Sequence, residues 1–148
     1  MDQQNTDRKK DCIYMIKQLH DSIEKQANSV LKKYDLTMVQ LGALIILKKE
    51  GKGECTLKEF EQHLHLAQST TAGIVKRLEQ KGDVVCFGDA QDRRIKKVKI
   101  TANGLELLRA AAGDTDLTTI RLFDGITKEE FVTFINVIHK ICKNVEKK

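Results

Sequence analysis

The chain has 148 residues, 41% of them hydrophobic but only 5% aromatic, with no Trp, no Pro and a formal charge of +5. That length suits one ordinary domain or a small domain with helical extensions, and the lack of proline favours long helices over a loop-rich fold. No apolar run approaches the roughly 18–20 residues that span a bilayer, and the polar N-terminal stretch lacks the apolar core of a signal peptide, so a cytoplasmic protein is expected.

From Asp7 onward, Ile16, Leu19, Ile23, Ala27, Val30, Leu31 and Tyr34 recur at helical spacing and predict a helix over 7–34. At 1.5 Å per residue it is about 42 Å long, more than a small domain needs for its own core. Thr37-Met-Val-Gln40 reads as a capping box opening an apolar helix to about Lys49, which Gly51-Lys-Gly53 ends. Thr56-Leu-Lys-Glu59 is a second capping box, starting a short helix through about His63. A turn at His65 to Ala67 leads into an amphipathic helix over 68–81, with Ile74, Val75 and Leu78 inward and Gly82 as its stop. Two short helices with a tight turn between them predict a helix-turn-helix.

Two strand-like runs follow, Val84-Val85-Cys86-Phe87 and the alternation of Val98 and Ile100, separated by turn residues Gly88-Asp89-Ala90-Gln91. Arg93 and Arg94 fall near the tip of the resulting ribbon. Residues 68–99 hold eight cations (Lys76, Arg77, Lys81, Arg93, Arg94, Lys96, Lys97, Lys99) against four acids (Glu79, Asp83, Asp89, Asp92), which is +4 of the chain's +5. A charge run alone more often marks a solvated face. Here it coincides with a helix followed by a basic hairpin, the layout of a winged helix, and nucleic acid becomes the favoured partner. The opening turn Gln68-Ser69-Thr70-Thr71 is small and polar enough for base edges in a major groove, and the ribbon suits phosphates or a minor groove.

Thr101 caps a further helix through Leu105, Leu107 and Leu108 to about Phe123. Gly113 inside it weakens it by roughly 1 kcal/mol relative to Ala, which leaves a kink or break open. Asp124-Gly125 is a stop, Thr127-Lys-Glu-Glu130 a third capping box, and the last helix carries Phe131, Phe134, Ile135, Ile138 and Ile141 on one face. Apolar stripes on both terminal helices must be buried, most economically against each other and a second copy. The expected fold is therefore mainly α with a small β-hairpin wing. Its parts are an N-terminal dimerisation helix (1–34), a winged helix-turn-helix DNA-binding domain (35–104) and C-terminal dimerisation helices (105–148).

These motifs resemble the MarR family of winged helix-turn-helix transcriptional regulators. The family's wing pattern, D-x-R-x-x-x-V-x-L-T then Gly, is met by Asp92, Arg94, Val98, Ile100 (for Leu), Thr101 and Gly104. Its preceding pattern is met by Ser69, Thr70, Val75, Leu78, Glu79 and Gly82, and the start of its second helix by Leu36, Thr37 and Gln40. The order of helices matches over nearly the whole chain, with the specific residues concentrated between Ser69 and Gly104. The resemblance implies a homodimer on a palindromic operator, usually a repressor, released by a small aromatic ligand or by oxidation. It places Arg94 in the minor groove, oriented by Asp92 and flanked by Arg93. Ser69, Thr70 and Thr71 would lie at the major groove with Gln68 beside them, and Lys76 and Arg77 at phosphates or bases; Lys96 and Lys97, by their charge, read as phosphate contacts. Asp89 departs from the otherwise basic wing.

Cys12 falls about one residue from where peroxide-sensing members carry their reactive cysteine, near Lys9, Lys10 and Tyr14. That sensing arrangement typically uses tyrosine partners, and the chain has two tyrosines, so an inert helix cysteine is preferred over a redox sensor. Without a C-x-x-C pair, neither a zinc clip nor structural disulfides are expected; Cys86 and Cys142 read as packing residues and Cys55 as a loop residue. His63-x-His65 reads as a pair of turn histidines, so no metal and no cofactor is expected. Nor is an enzyme: no phosphate-binding loop, nucleophile elbow or zinc-protease helix occurs, and Glu129-Glu130 suit a helix N-terminus. The competing reading is a winged helix for protein contact or non-specific architectural DNA binding.

Overall fold

A computed structural model describes residues 3–147, which fall into two compact units, one ending at Thr115 and the other starting at Asp116.

The first unit opens with α1 (Gln3–Leu31), which starts earlier than the apolar pattern suggested. It tightens into a single 3-10 turn over Lys32–Tyr34, where Asp35 takes a left-handed conformation (φ 52°) and donates its N–H to the Lys32 carbonyl. Thr37 then caps α2 (Met38–Lys49), with the reciprocal Gln40 bond in place. Thr56 and Glu59 do the same for α3 (Leu57–Leu64). After a turn through His65 (φ 52°), α4 runs over Gln68–Gln80.

Between α2 and α3 lies a strand the sequence reading missed, β1 (Glu54–Thr56). It pairs antiparallel with β3 (Lys96–Ile100), which also pairs with β2 (Val84–Gly88), giving the order β1-β3-β2. The ribbon is thus part of a three-stranded sheet. Cys55 accordingly sits buried on β1 opposite Val98 and is not a loop residue.

The core gathers Leu31 of α1, Leu44 and Leu47 of α2, Phe60 of α3, Val75 and Leu78 of α4 and Val98 of β3, all buried. Leu108 and Ala111 of α5 (Ala102–Leu122) close it. Beside that core, Tyr34 Oη donates to Asp114 Oδ2 at 2.5 Å, and Lys33 Nζ lies 2.5 Å from the same oxygen. α5 is continuous through Gly113, where a methyl group would meet nothing within 4 Å, so the expected weak point does not break it.

In the second unit, the end of α5 turns at Gly125 (φ 77°), and Thr127 and Glu130 form the capping box of α6 (Lys128–Glu146). Phe123 and Phe131 meet edge to face with ring centroids 5.2 Å apart. Phe131, Phe134 and Ile141 remain exposed, and so does Cys142, which is not the packing residue the sequence suggested. Among the described residues, no helix is long and apolar enough to cross a membrane.

Candidate nucleic-acid interface

Helix α4 has two faces because its apolar residues recur at three and four. Thr71, Val75 and Leu78 are buried, whereas Ser69, Gly73, Lys76 and Gln80, spaced four, three and four apart, form the opposite exposed ridge. Gln68, Thr70, Ala72 and Arg77 flank that ridge and are exposed too. Among the described residues, Lys76 and Arg77 make no ion pair, so both charges face outward unspent. Ala72 and Gly73 were not singled out from the sequence. Their exposure on the ridge makes it thin enough for close backbone approach, a signal present in the helical spacing from Ser69.

Thr71 does not belong to this face. It is 1% exposed, and its Oγ1 is buried without a hydrogen-bond partner among the described residues, so its expected place at the major groove is corrected. The small polar run that suggested it was read without its helical phase, which turns Thr71 toward Val75 and Leu78. Burying an unpaired hydroxyl costs about 1–3 kcal/mol. Thr71→Val is therefore expected to raise stability by roughly 1 kcal/mol in denaturant titration while leaving DNA affinity unchanged. A drop in affinity at unchanged stability would return Thr71 to the interface.

The wing presents its cations unequally. Arg94 has a side chain 91% exposed, held by Asp92 through Nε to Oδ1 (3.0 Å), Nη2 to Oδ2 (3.1 Å) and its own backbone N–H to Oδ1 (3.1 Å). The Arg94 guanidinium and amide hold the Asp92 carboxyl below its usual range, so the pair stays ionised at neutral pH. Arg93 and Lys96 are exposed and form no ion pair among the described residues. Lys97 differs: its Nζ lies 3.0 Å from Asp89 and 3.6 Å from Glu54 on β1, chiefly the first of which raises its pKa. Lys99 also pairs with Glu54, at 3.5 Å. The strand pairing that places Lys97 and Lys99 beside β1 was invisible without that strand, and it gives Lys97, expected at a phosphate, acidic partners within the fold.

A groove of about 490 Å³ borders α4, lined by Asn28, Lys32, Leu36, Gln40, Arg77 and Lys81 among others. The first amides of α2 are already taken there: Asn28 Oδ1 accepts from Met38 N–H at 2.7 Å, and Gln40 and Thr37 bond each other's backbone. Lys81 is tied to the Asp35 carbonyl oxygen.

Of the remaining candidates, Cys12 is exposed on α1. Burial, helped by neighbouring glutamates, pushes the Cys55 and Cys86 thiols up to about 11, which keeps them protonated and unreactive. His63 is exposed with Nε2 3.1 Å from Glu50, and His65 is exposed at the end of α3. His20, Asp21 and Glu24 bring potential ligand atoms within 4.8 Å of one another on α1, but Asp21 is bonded to Lys17 at 2.6 Å.

The architecture is a winged helix-turn-helix, with α3 and α4 as the helix pair and the β2–β3 hairpin as the wing. Residues 36–96 match the MarR family model. Over 133 residues the chain is 27% identical to the HTH-type transcriptional repressor IacR of Pseudomonas putida, covering 90% of this chain and 78% of that protein. Its fold is similar to a transcriptional regulator from Streptomyces coelicolor solved in complex with DNA, with a TM-score of 0.86 and 19% identity over 93% of this chain and 87% of that one. It is also similar to Bordetella bronchiseptica BpsR, whose DNA binding is regulated by 6-hydroxynicotinic acid, with a TM-score of 0.70 and 21% identity over 86% of this chain and 98% of that one.

Proposed function

The chain belongs to the MarR family, its family domain lying over residues 36–96, and from that premise we propose that it is a sequence-specific DNA-binding transcriptional regulator, acting as a repressor on a palindromic operator. The observation that carries this reading is the presence of two exposed elements suited to DNA, the ridge of α4 and a wing whose Arg94 is 91% exposed and held by Asp92. Lys76, Arg77, Arg93 and Lys96 add exposed cations without ion pairs among the described residues on the same two elements. An exposed arginine held by three bonds at a wing tip, together with a ridge of Ser69, Gly73 and Gln80, suits entry into DNA grooves and favours this reading over a protein-contact module or a non-specific architectural binder.

In this reading the ridge enters the major groove, and Arg94 enters the minor groove while Arg93 and Lys96 contact phosphates. A second copy supplies the other half-site, about 34–36 Å away along the duplex. The exposed apolar residues of α1 (Ile13, Ile16, Leu19) and of α6 (Phe131, Phe134, Ile141) support such a pairing, since an apolar stripe of this kind is seldom left in water. Release comes from a small aromatic ligand, the class that regulates the similar BpsR, or from oxidation. A ligand works only through its differential affinity for the DNA-competent and DNA-incompetent spacings of the two α4 helices. The groove along α1, α2 and α4 is one place where it would touch the reading helix directly.

The test is selection of genomic DNA by the purified protein with no presumed site. A palindrome with half-sites about 10 bp apart is expected. Arg94→Ala should then weaken that site by roughly 1–3 kcal/mol at fixed salt. Retention of bulk DNA without any enriched sequence would overturn the specific reading in favour of the architectural one.

A further inference from the structure

Asp89 puts an acid into a loop whose task calls for cations, and its bonds show what it does there. Its backbone N–H donates to the Ile95 carbonyl at 2.9 Å, closing the loop at its root, and the Ile95 N–H donates to the Asp92 carbonyl at 3.0 Å. Its Oδ2 accepts from the backbone N–H groups of Gln91 (3.1 Å) and Asp92 (3.2 Å). Its Oδ1 lies 3.0 Å from Lys97 Nζ, which in turn lies 3.6 Å from Glu54 on β1. Asp92, with its amide fixed in this way, receives the guanidinium and the amide of Arg94. Interactions therefore run from β1 through Lys97, Asp89 and Asp92 to the tip of the wing. The loop also folds back on Gly88, where an added methyl group would lie 3.1 Å from the Arg93 carbonyl oxygen.

Arg94 is almost fully exposed, so no packing holds it. We propose that Asp89 is a positioning residue for Arg94, anchored to the sheet by Lys97 and Glu54, and that it preorganises the wing for entry into DNA. Without Asp89 two loop amides lose their acceptor, Asp92 is free to turn, and Arg94 samples rotamers that binding must then freeze. The effect on affinity rests on the DNA reading given above; the order of the loop is a property of the free protein.

Charge and positioning predict opposite signs, which makes the proposal sharp. Removing an acid from a DNA-facing loop strengthens phosphate attraction if charge alone matters. If Asp89 acts by positioning, its removal weakens binding instead. The experiment compares Asp89→Ala, Asp89→Asn, Arg94→Ala and the Asp89→Ala/Arg94→Ala double variant. It measures affinity for a duplex carrying the selected site at fixed salt, and amide exchange at Gln91, Asp92 and Arg94 in the free protein.

Asp89→Ala is expected to lose protection at these amides and to weaken binding about tenfold, close to the effect of Arg94→Ala. In the double variant it should add nothing further, because Asp89 acts through Arg94. Asp89→Asn, which keeps an acceptor oxygen for the two amides, should recover most of the loss. Equal or tighter binding by Asp89→Ala, additive losses in the double variant, or unchanged amide exchange would each overturn the proposal. Should the wild-type protein bind no duplex, the regulatory reading fails on its own, and the amide exchange still decides whether Asp89 orders the loop.

Discussion

Gly104→Ala is expected to destabilise the protein by about 3 kcal/mol, the upper end of what an added buried methyl group costs. A Cβ built at this position would sit 2.3 Å from the Asp83 carbonyl oxygen and 2.8 Å from Ile100 Cγ1. The first obstacle is backbone and cannot swing aside as a flexible side chain would. It also lies where three elements are stitched together. Asp83 donates its N–H to the Leu78 carbonyl at the end of α4, and its carbonyl accepts the Thr101 N–H at 3.0 Å. Thr101 Oγ1 donates to the Gly82 carbonyl at 2.6 Å and accepts the Gly104 N–H at 3.1 Å. Asn103 Nδ2 reaches the buried Asp83 carboxyl at 2.8 Å, and burial raises that carboxyl's pKa.

A methyl group at Gly104 therefore pushes α5 away from the joint that sets the angle between α4 and the wing. Denaturant titration of Gly104→Ala should show the loss, with a fall in Tm of roughly 10 °C for a chain of this size. Gly113→Ala is the internal control. Gly113 is an exposed helical glycine with open space around it, and its substitution should stabilise by about 1 kcal/mol. A Gly104→Ala protein within 0.5 kcal/mol of wild type, on the scale of an ordinary surface change, would show that the joint yields at no cost.

Much of this architecture was legible because local chemistry and tertiary packing agree. Each of the three capping boxes, at Thr37, Thr56 and Thr127, announced a helix start that the structure contains, and Gly82 and Gly125 take the positive φ expected of stops. What escaped was what depends on partners distant in sequence. β1 has three residues, too few to show an alternation, and Thr56 at its end already served as a cap. Once β1 is missed, Glu54 has no reason to stand beside Lys97 and Lys99, and both lysines read as free charges.

Thr71 failed for a different reason. Its chemistry matched its neighbours Ser69 and Thr70, and only the helical phase distinguishes a buried threonine from an exposed one. Asp89 was visible as an anomaly in the wing, but its role needed the loop's closure onto backbone amides that no residue pattern encodes.

The largest effect on regulation is expected from a charge placed in the apolar stripes of α1 and α6. In one chain Ile16 is 50% exposed and Phe134 44% exposed. Glutamate at either position therefore leaves the fold of that chain nearly intact. If these stripes are the surfaces on which two copies meet, the same glutamate becomes a charge buried without a partner, which costs several kcal/mol. Ile16→Glu and Phe134→Glu should each convert a dimer into a monomer in sedimentation equilibrium, with unfolding midpoints measured at low protein concentration close to wild type. The effect on DNA follows from geometry. A dimer binds its second half-site intramolecularly, and losing that link weakens the palindrome by about 10²–10⁴-fold without altering any residue on α4 or the wing. A single half-site should retain its weak affinity in both variants, and the Arg94→Ala loss should persist on that half-site. If both glutamate variants stay dimeric with operator affinity unchanged, the stripes serve something other than self-association, and two-fold reading of a palindrome loses its structural basis in this chain.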